Sequence, residues 1–467
     1  MNNQYFTWST SDIIRAVKGK HLFGDVSHPF YRISTDSRTV DSNALFVAII
    51  GDNFDSHTFI PDIIKKNVRG LIVQEGKLTQ DQVNKWKRPD LLCIEVPDTA
   101  QALGDLAHYQ RMQWGGSVIG ITGTNGKTSV KEMTAAVLST TFNTIKTQGN
   151  FNNHIGVPKT LFQIQNNDEW AIVEMGMNHF GEIAYLAKMS RPSIGIITNI
   201  GPGHLEGVKS LEGVKKAKSE LLQYLPQNGV AILNADDPLV MSLSHQLPCA
   251  LITYGIKSRA DIWATNITES VQGCHFTLQT SDSSIDIQLP ANGLFMVSNA
   301  LSAAAAGFYL KIPIALIKKG LESFNQIHGR LTIRHSKDGI HIIDDTYNAN
   351  PASMRAALDS LNRLCQSTNS YLVSGDMYEL GDDAKKFHEE IGQYAAKSGI
   401  KALFSTGMFA SDVINGAHKA GMDVNDLYQG TVEMITLSLS KRLKPGDWVL
   451  VKGSRAMKME QFVNQLL

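Results

Sequence analysis

The chain has 467 residues, of which 43% are hydrophobic and 19% charged, with 44 Lys+Arg set against 44 Asp+Glu. That length predicts about two to four domains with sizeable cores, and the balanced charge excludes a global bias towards nucleic acid or an acidic membrane surface. Cys93, Cys249, Cys274 and Cys365 form no C-x-x-C pair, which argues against a zinc site or a redox dithiol and for incidental thiols in a reducing compartment.

The opening stretch, MNNQYFTWSTSDIIRAV, lacks a basic segment leading into an apolar core, so no signal peptide is expected. No apolar run reaches the ~20 residues of a spanning helix, so a cytoplasmic chain without membrane insertion is expected. Apolar runs read as strands at 44–49, 70–74, 91–96, 117–122, 171–175, 194–200 and 230–234, and again at 340–344, 370–375, 402–407 and 447–453. Helical patterns separate most of them, which predicts an α/β fold with parallel sheets. Residues 262–290 alternate with a different period and read as an antiparallel hairpin. No short repeat is present, so a solenoid is not expected. The stretches QWGG (113–116) and NQIHGR (325–330) suggest domains of 1–114, 115–328 and 329–467.

The first motif is STDSR, Ser34, Thr35, Asp36, Ser37 and Arg38. Its donors suit a phosphate or a base, and equally a capped turn. Next comes GITGTNGKTS (120–129), with Ile121 where a strict Walker loop has its first glycine. Strand, glycine loop and helix still follow in the order a phosphate site needs. Gly123 and Gly126 let successive N–H groups converge on one anion, and the helix N-terminus adds positive potential. Thr124, Asn125 and Ser129 complete the loop, Lys127 supplies a cation for phosphates, and Thr128 supplies a hydroxyl for Mg²⁺. The loop GNFNNHIGVP (149–158) concentrates Asn150, Asn152 and Asn153, either as a plain turn or for sugar and phosphate recognition.

Glu174 closes the run WAIVE and is a candidate metal ligand or a surface carboxylate; His204, past the next strand, is a candidate ligand or a structural histidine. On a helical wheel of 210–225, Leu211, Val214, Leu221, Leu222 and Leu225 make one apolar stripe. Lys218 falls in its middle. Either its stem snorkels to water, or it is desolvated, which lowers its pKa and opens the way to a carbamate that binds Mg²⁺. In the last third, IIDDTYNANP (342–351), SGDMYELG (374–381) and KGSRAMKME (452–460) each follow an apolar run. Polar strand ends of this kind suggest one ligand crevice, or three independent surface loops.

Together these motifs resemble the Mur ligase family over nearly the whole chain. The family's short loop, G-T-x-G-K-T, matches Gly123 to Thr128. The resemblance implies a central P-loop ATPase-type parallel sheet, flanked by an N-terminal α/β domain binding a UDP-muropeptide and a C-terminal Rossmann-like domain that closes on ATP and binds the amine substrate. It implies ATP, two Mg²⁺ held by Thr128, Glu174, His204 and Lys218, and a carbamate on Lys218. It assigns Arg330, Asp345 and Asn348 to the nucleotide. STDSR and ALFVAIIGDNFDSHTFI (44–60) would bind the uridine nucleotide, and GNFNNHIGVP the muropeptide. Phe295 and Met296 stand where the family has His-Asn, which removes the usual asparagine contact to adenine and leaves packing to hold it; Asn299 remains.

The third-domain stretches favour the member that joins D-alanyl-D-alanine to UDP-N-acetylmuramoyl-tripeptide through an acyl phosphate, in peptidoglycan precursor synthesis. A monomer with no nucleic-acid partner is expected. A related ligase adding a single amino acid, and a nucleotide switch without ligation, are the competing readings. The sequence leaves open whether the tripeptide ends in lysine or diaminopimelate.

Overall fold

Residues 6–24, 29–51, 54–365 and 368–467 are described in this computed structural model. Residues 1–5 of the opening stretch, and Asp52 and Asn53 of the 44–60 motif, lie outside them. The described residues form three sheets and divide into two compact units. One holds residues up to 120 together with 142–176 and 182–193; the other holds 121–141, 177–181 and 194–467. The strand Ser117–Thr122 therefore contributes its last two residues, Ile121 and Thr122, to the second unit.

In the first unit, one sheet has the order Lys20–Phe23, Leu92–Val96, Gly70–Gln74, Ala44–Val47, Arg32–Ser34. Only the first pairing is antiparallel. Side chains alternate between its faces. Leu45, Val47, Ile72 and Ile94 pack with Trp8, Phe30 and Leu103, while Phe46, Leu71, Val73 and Cys93 pack with Ile60 and Ile63. Burying each such aliphatic or aromatic side chain contributes about 1.5–3 kcal/mol. Thr144–Lys146 and Trp170–Glu174 pair in parallel in the same unit.

In the second unit, Ile194–Ile197, Val230–Asn234, Ala250–Gly255 and the start of Ile262–Ser270 pair in parallel. The sheet then turns antiparallel through Gly273–Gln279 and Ser284–Leu289. The expected hairpin is thus a three-stranded meander, because the turn after Gln279 returns the chain once more. A further sheet runs Thr332–His335, His341–Asp345, Trp448–Lys452, Ser370–Ser374, Ala402–Ser405, Leu427–Gln429, parallel except at its first pairing. Ile343, Leu372, Leu403 and Leu450 fill one of its faces; Ile342, Val373, Phe404 and Val451 fill the other. Parallel strands buried on both faces leave ligand-facing residues at their carboxyl ends.

Candidate active site

The strand ending at Thr122 feeds the loop, and the helix Lys127–Leu138 starts at Gly126. Gly126 has φ 84°, and a Cβ there would lie 2.4 Å from Asn299 Oδ1. At Gly123 a Cβ would lie 1.8 Å from Thr198 Oγ1. Both positions therefore need glycine for space, and Gly126 also for its left-handed backbone. Lys127 Nζ donates to the carbonyls of Gly123 and Thr124 at 2.8 and 3.2 Å. The segment Thr198–Gly201 holds the loop from outside. Thr124 N–H donates to Asn199 O at 3.0 Å, Asn125 N–H donates to Asn199 Oδ1 at 2.9 Å, and Gly201 N–H donates to Thr124 Oγ1 at 3.0 Å. Ser129 is buried beneath the first helical turn.

Residues of the last third reach the same loop. Arg330 Nη2 donates to Thr128 Oγ1 at 3.0 Å, its guanidinium lies 4.2 Å from the Tyr347 ring centroid, and its buried Nε has no hydrogen-bond partner among the described residues. Asn350 pairs with Asn125 through their side-chain amides, at 2.7 Å from Asn350 Nδ2 to Asn125 Oδ1. Asp345 is buried, accepts from Leu331 N–H at 3.1 Å and forms a 2.5 Å ion pair with Lys452. Its carboxylate is thus already neutralised within the protein. Asn348 is exposed, its carbonyl accepts from Lys452 and its Oδ1 accepts from Ala349 N–H. Asn299 lies under Gly126 and donates to Met296 Sδ at 3.5 Å. Met296 is buried, and Phe295 packs against the core of the last sheet.

Lys218 sits in the helix Leu211–Ser219, 1% exposed, and its side-chain amine has no hydrogen bond or ion pair among the described residues. Burial, and secondly the charge of Lys127, push its ammonium well below its ordinary pKa. Snorkelling is excluded. Val214, Leu221, Leu222 and Leu225 are buried as the wheel predicts, although the α-helix ends at Ser219, and Leu211 is exposed because it lies in the helix's first turn. His204 has φ 55°, and its Nδ1 lies 2.6 Å from Glu379 Oε2. The imidazole holds the Glu379 carboxyl below the usual carboxylate range, with burial opposing.

No three His, Cys, Asp or Glu side chains cluster as a metal site among the described residues. The donors of this unit suit magnesium in another way. Thr128 offers a hydroxyl oxygen, His204 keeps Nε2 clear of Glu379, and Lys218 is a buried amine that carbon dioxide would turn into an oxygen anion. Glu174 belongs to the first unit, where it is buried and its Oε1 accepts from Asn152 Nδ2 at 2.8 Å.

The first unit contains a cavity of about 910 Å³ whose lining includes Tyr31, Ser34, Thr35, Asp36, Phe151 and Lys159. Ser37 and Arg38 are not in the lining; Arg38 forms an ion pair with Asp36 at 2.8 Å and points outward. That guanidinium, through its hydrogen bond and its charge, holds the Asp36 carboxyl far below the usual range. Asn150, Asn152 and Asn153 also stay out of the lining. Asn153 caps the next turn instead, accepting from Gly156 N–H at 2.8 Å. The residues that sequence reasoning did not single out are Thr198, Asn199, Asn350, Glu379, Lys452 and Lys159. Asn350, Glu379 and Lys452 had a usable signal, since each lies in one of the three polar stretches that follow apolar runs in the last third.

Sequence profiles of the Mur ligases match along the chain: "Mur ligase family, catalytic domain" over 29–111, "Mur ligase middle domain" over 121–307, and "Mur ligase, glutamate ligase domain" over 329–455. The chain is similar to the UDP-N-acetylmuramoyl-tripeptide–D-alanyl-D-alanine ligase of Escherichia coli strain K12, at 38% identity over 93% of each chain. It is similar to the Bacillus subtilis strain 168 protein of that name at 34% identity, over 95% of this chain and 96% of that one. Among solved structures, MurF from Acinetobacter baumannii superposes with a TM-score of 0.90 at 32% identity over 99% of each chain. MurF ligase from Thermotoga maritima, in complex with ADP, superposes with a TM-score of 0.82 at 25% identity, over 93% of this chain and 96% of that one. With profiles matched in all three regions and relatives above 30% identity over more than nine tenths of its length, the chain belongs to the Mur ligase family.

Proposed function

We propose that this chain is an ATP-dependent ligase that joins D-alanyl-D-alanine to UDP-N-acetylmuramoyl-tripeptide in peptidoglycan precursor synthesis. The choice of substrates follows the names of its full-length relatives. The single observation that carries the step from nucleotide binding to ligation is Lys218, a buried amine without a partner among the described residues, for which a nucleotide switch has no use. Residues 1–114, 115–328 and 329–467 are the three domains of this scheme, binding UDP-muropeptide, ATP and the amine. A cytoplasmic monomer fits the family resemblance.

In this mechanism the loop amides from Gly123 to Ser129 and the helix N-terminus bind the ATP phosphates. Lys127 exchanges its loop carbonyls for phosphate oxygens, and Arg330, braced by Tyr347, adds a second cation beside Thr128. Thr128, His204 and a carbamylated Lys218 would hold magnesium; the family resemblance adds Glu174. Two magnesium ions, when bound, would offset the phosphate charge of the transfer. The carbamate forms when the neutral Lys218 amine adds to carbon dioxide and releases one proton. The tripeptide carboxylate takes the γ-phosphoryl group of ATP and ADP leaves. The amine of D-alanyl-D-alanine then attacks the acyl carbon, and phosphate leaves as the amide forms. Packing by Met296, with Asn299 beneath Gly126, supports adenine in place of the missing His-Asn pair.

The test is mass spectrometry of products with ATP, D-alanyl-D-alanine and muramoyl tripeptides ending in lysine or in diaminopimelate. Amide product, ADP and phosphate are expected in equal amounts, and only with both acceptor and amine present. Product with a single amino acid in place of the dipeptide would establish the related-ligase reading. Turnover without either acceptor would sink both.

A further inference from the structure

Glu379 lies in the GDMYELG turn, in the left-handed region at φ 63°. Three anchors hold that turn. The Asp376 carboxylate accepts from Met408 and Phe409 N–H at 2.8 and 3.0 Å. Met377 N–H donates to the buried His388 Nε2 at 2.8 Å, and Tyr378 N–H donates to Ser454 Oγ at 2.9 Å. The turn so fixed makes two contacts with one short segment. Glu379 Oε2 lies 2.6 Å from His204 Nδ1, and the Glu379 carbonyl accepts from Leu205 N–H at 3.0 Å. His204 is itself left-handed, at φ 55°. A backbone bond and a side-chain contact on adjacent residues define an orientation.

We propose that Glu379 is a positioning residue for His204: its carboxylate, 2.6 Å from Nδ1, favours the tautomer that keeps its proton on Nδ1 and leaves Nε2 as the nitrogen that meets the metal. The inference rests on His204 being a magnesium ligand, as proposed above. A metal-bound imidazole is commonly oriented in this way, because the group on one ring nitrogen decides which nitrogen keeps its lone pair. It gives the GDMYELG stretch a use of its own, tying the last sheet to the metal ligand through one turn.

The experiment uses the full chain with ADP and Mn²⁺ as the probe ion, with free Mn²⁺ read by electron paramagnetic resonance. Glu379→Ala is expected to weaken Mn²⁺ binding by roughly 10-fold or more. Glu379→Gln should weaken it less, since its amide oxygen still accepts from Nδ1–H. In the unmodified chain, ¹⁵N-histidine spectra, assigned with His204→Gln, should show the Nδ1–H tautomer at His204; this measurement does not depend on how a Glu379 variant folds. Unchanged Mn²⁺ affinity in Glu379→Ala, with His204→Gln weakened, would overturn the positioning role and leave His204 as a ligand. An Nε2–H tautomer would overturn it too. Unchanged affinity in His204→Gln would remove both His204's metal role and the inference built on it.

Discussion

Gly126 carries two demands at one atom. Its φ is 84°, and a Cβ would come within 2.4 Å of Asn299 Oδ1. Holding a non-glycine residue in that region costs about 1–3 kcal/mol, and at about 1.4 kcal/mol per decade that is roughly a 5- to 150-fold loss in affinity if the variant loop relaxes when empty and must readopt that conformation to bind. Gly126→Ala is therefore expected to weaken ADP binding by at least roughly 5-fold, read by calorimetry. Asn299→Ala in the same background removes the clash but not the backbone strain, so it should restore only part of the affinity. Full restoration would show that contact, not conformation, sets the requirement. Glycine at 126 was legible in the sequence because the need is local. Its neighbours were not: Asn199 and Asn350 reach Asn125 across 74 and 225 residues. Such pairings are decided by how strands are ordered in a sheet, which no single-residue pattern encodes.

At the scale of elements, fully buried central strands were readable, while Ala250–Gly255, an interior strand that is only partly buried, and most edge strands were not. Trp448–Lys452 and Ser370–Ser374 are buried along their whole length, so they appear as unbroken apolar runs. Thr332–His335 and Leu427–Gln429 are sheet edges carrying Arg334, His335 and Gln429, and polar edge residues erase that signal. The helix Leu211–Ser219 was legible in a third way, through a lysine inside an apolar stripe. Its burial has a thermodynamic consequence. The folded Lys218 pKa is depressed, so between that value and its unfolded value the unfolded chain binds more protons, and stability rises with pH. Lys218→Met keeps the stripe and removes the titration. In carbon dioxide-free buffer it should raise Tm, by more at pH ~6 than at pH ~9. A gain independent of pH would mean that Lys218 stays charged in the folded chain.

At the scale of the whole molecule, the two candidate ligand sites fall in different units. The cavity lined by Ser34, Thr35, Asp36 and Lys159 belongs to the first; the loop Gly123–Thr128, with Arg330 and Asn350, belongs to the second. A ligand stabilises whatever it binds by mass action, about 2.7 kcal/mol at a concentration 100 times its Kd. Hydrogen exchange reads that stabilisation segment by segment. UDP should therefore slow exchange around 31–36 and 159–168, where the cavity wall lies, and ADP should slow it around 123–128 and 198–201, where the loop is held. Because Lys159 is a cation beside that cavity, Lys159→Ala should reduce the UDP effect while leaving the ADP effect intact. If UDP instead protected only 123–128, the cavity would lose its assignment to the uridine nucleotide. The phosphate loop would then be a general nucleotide site.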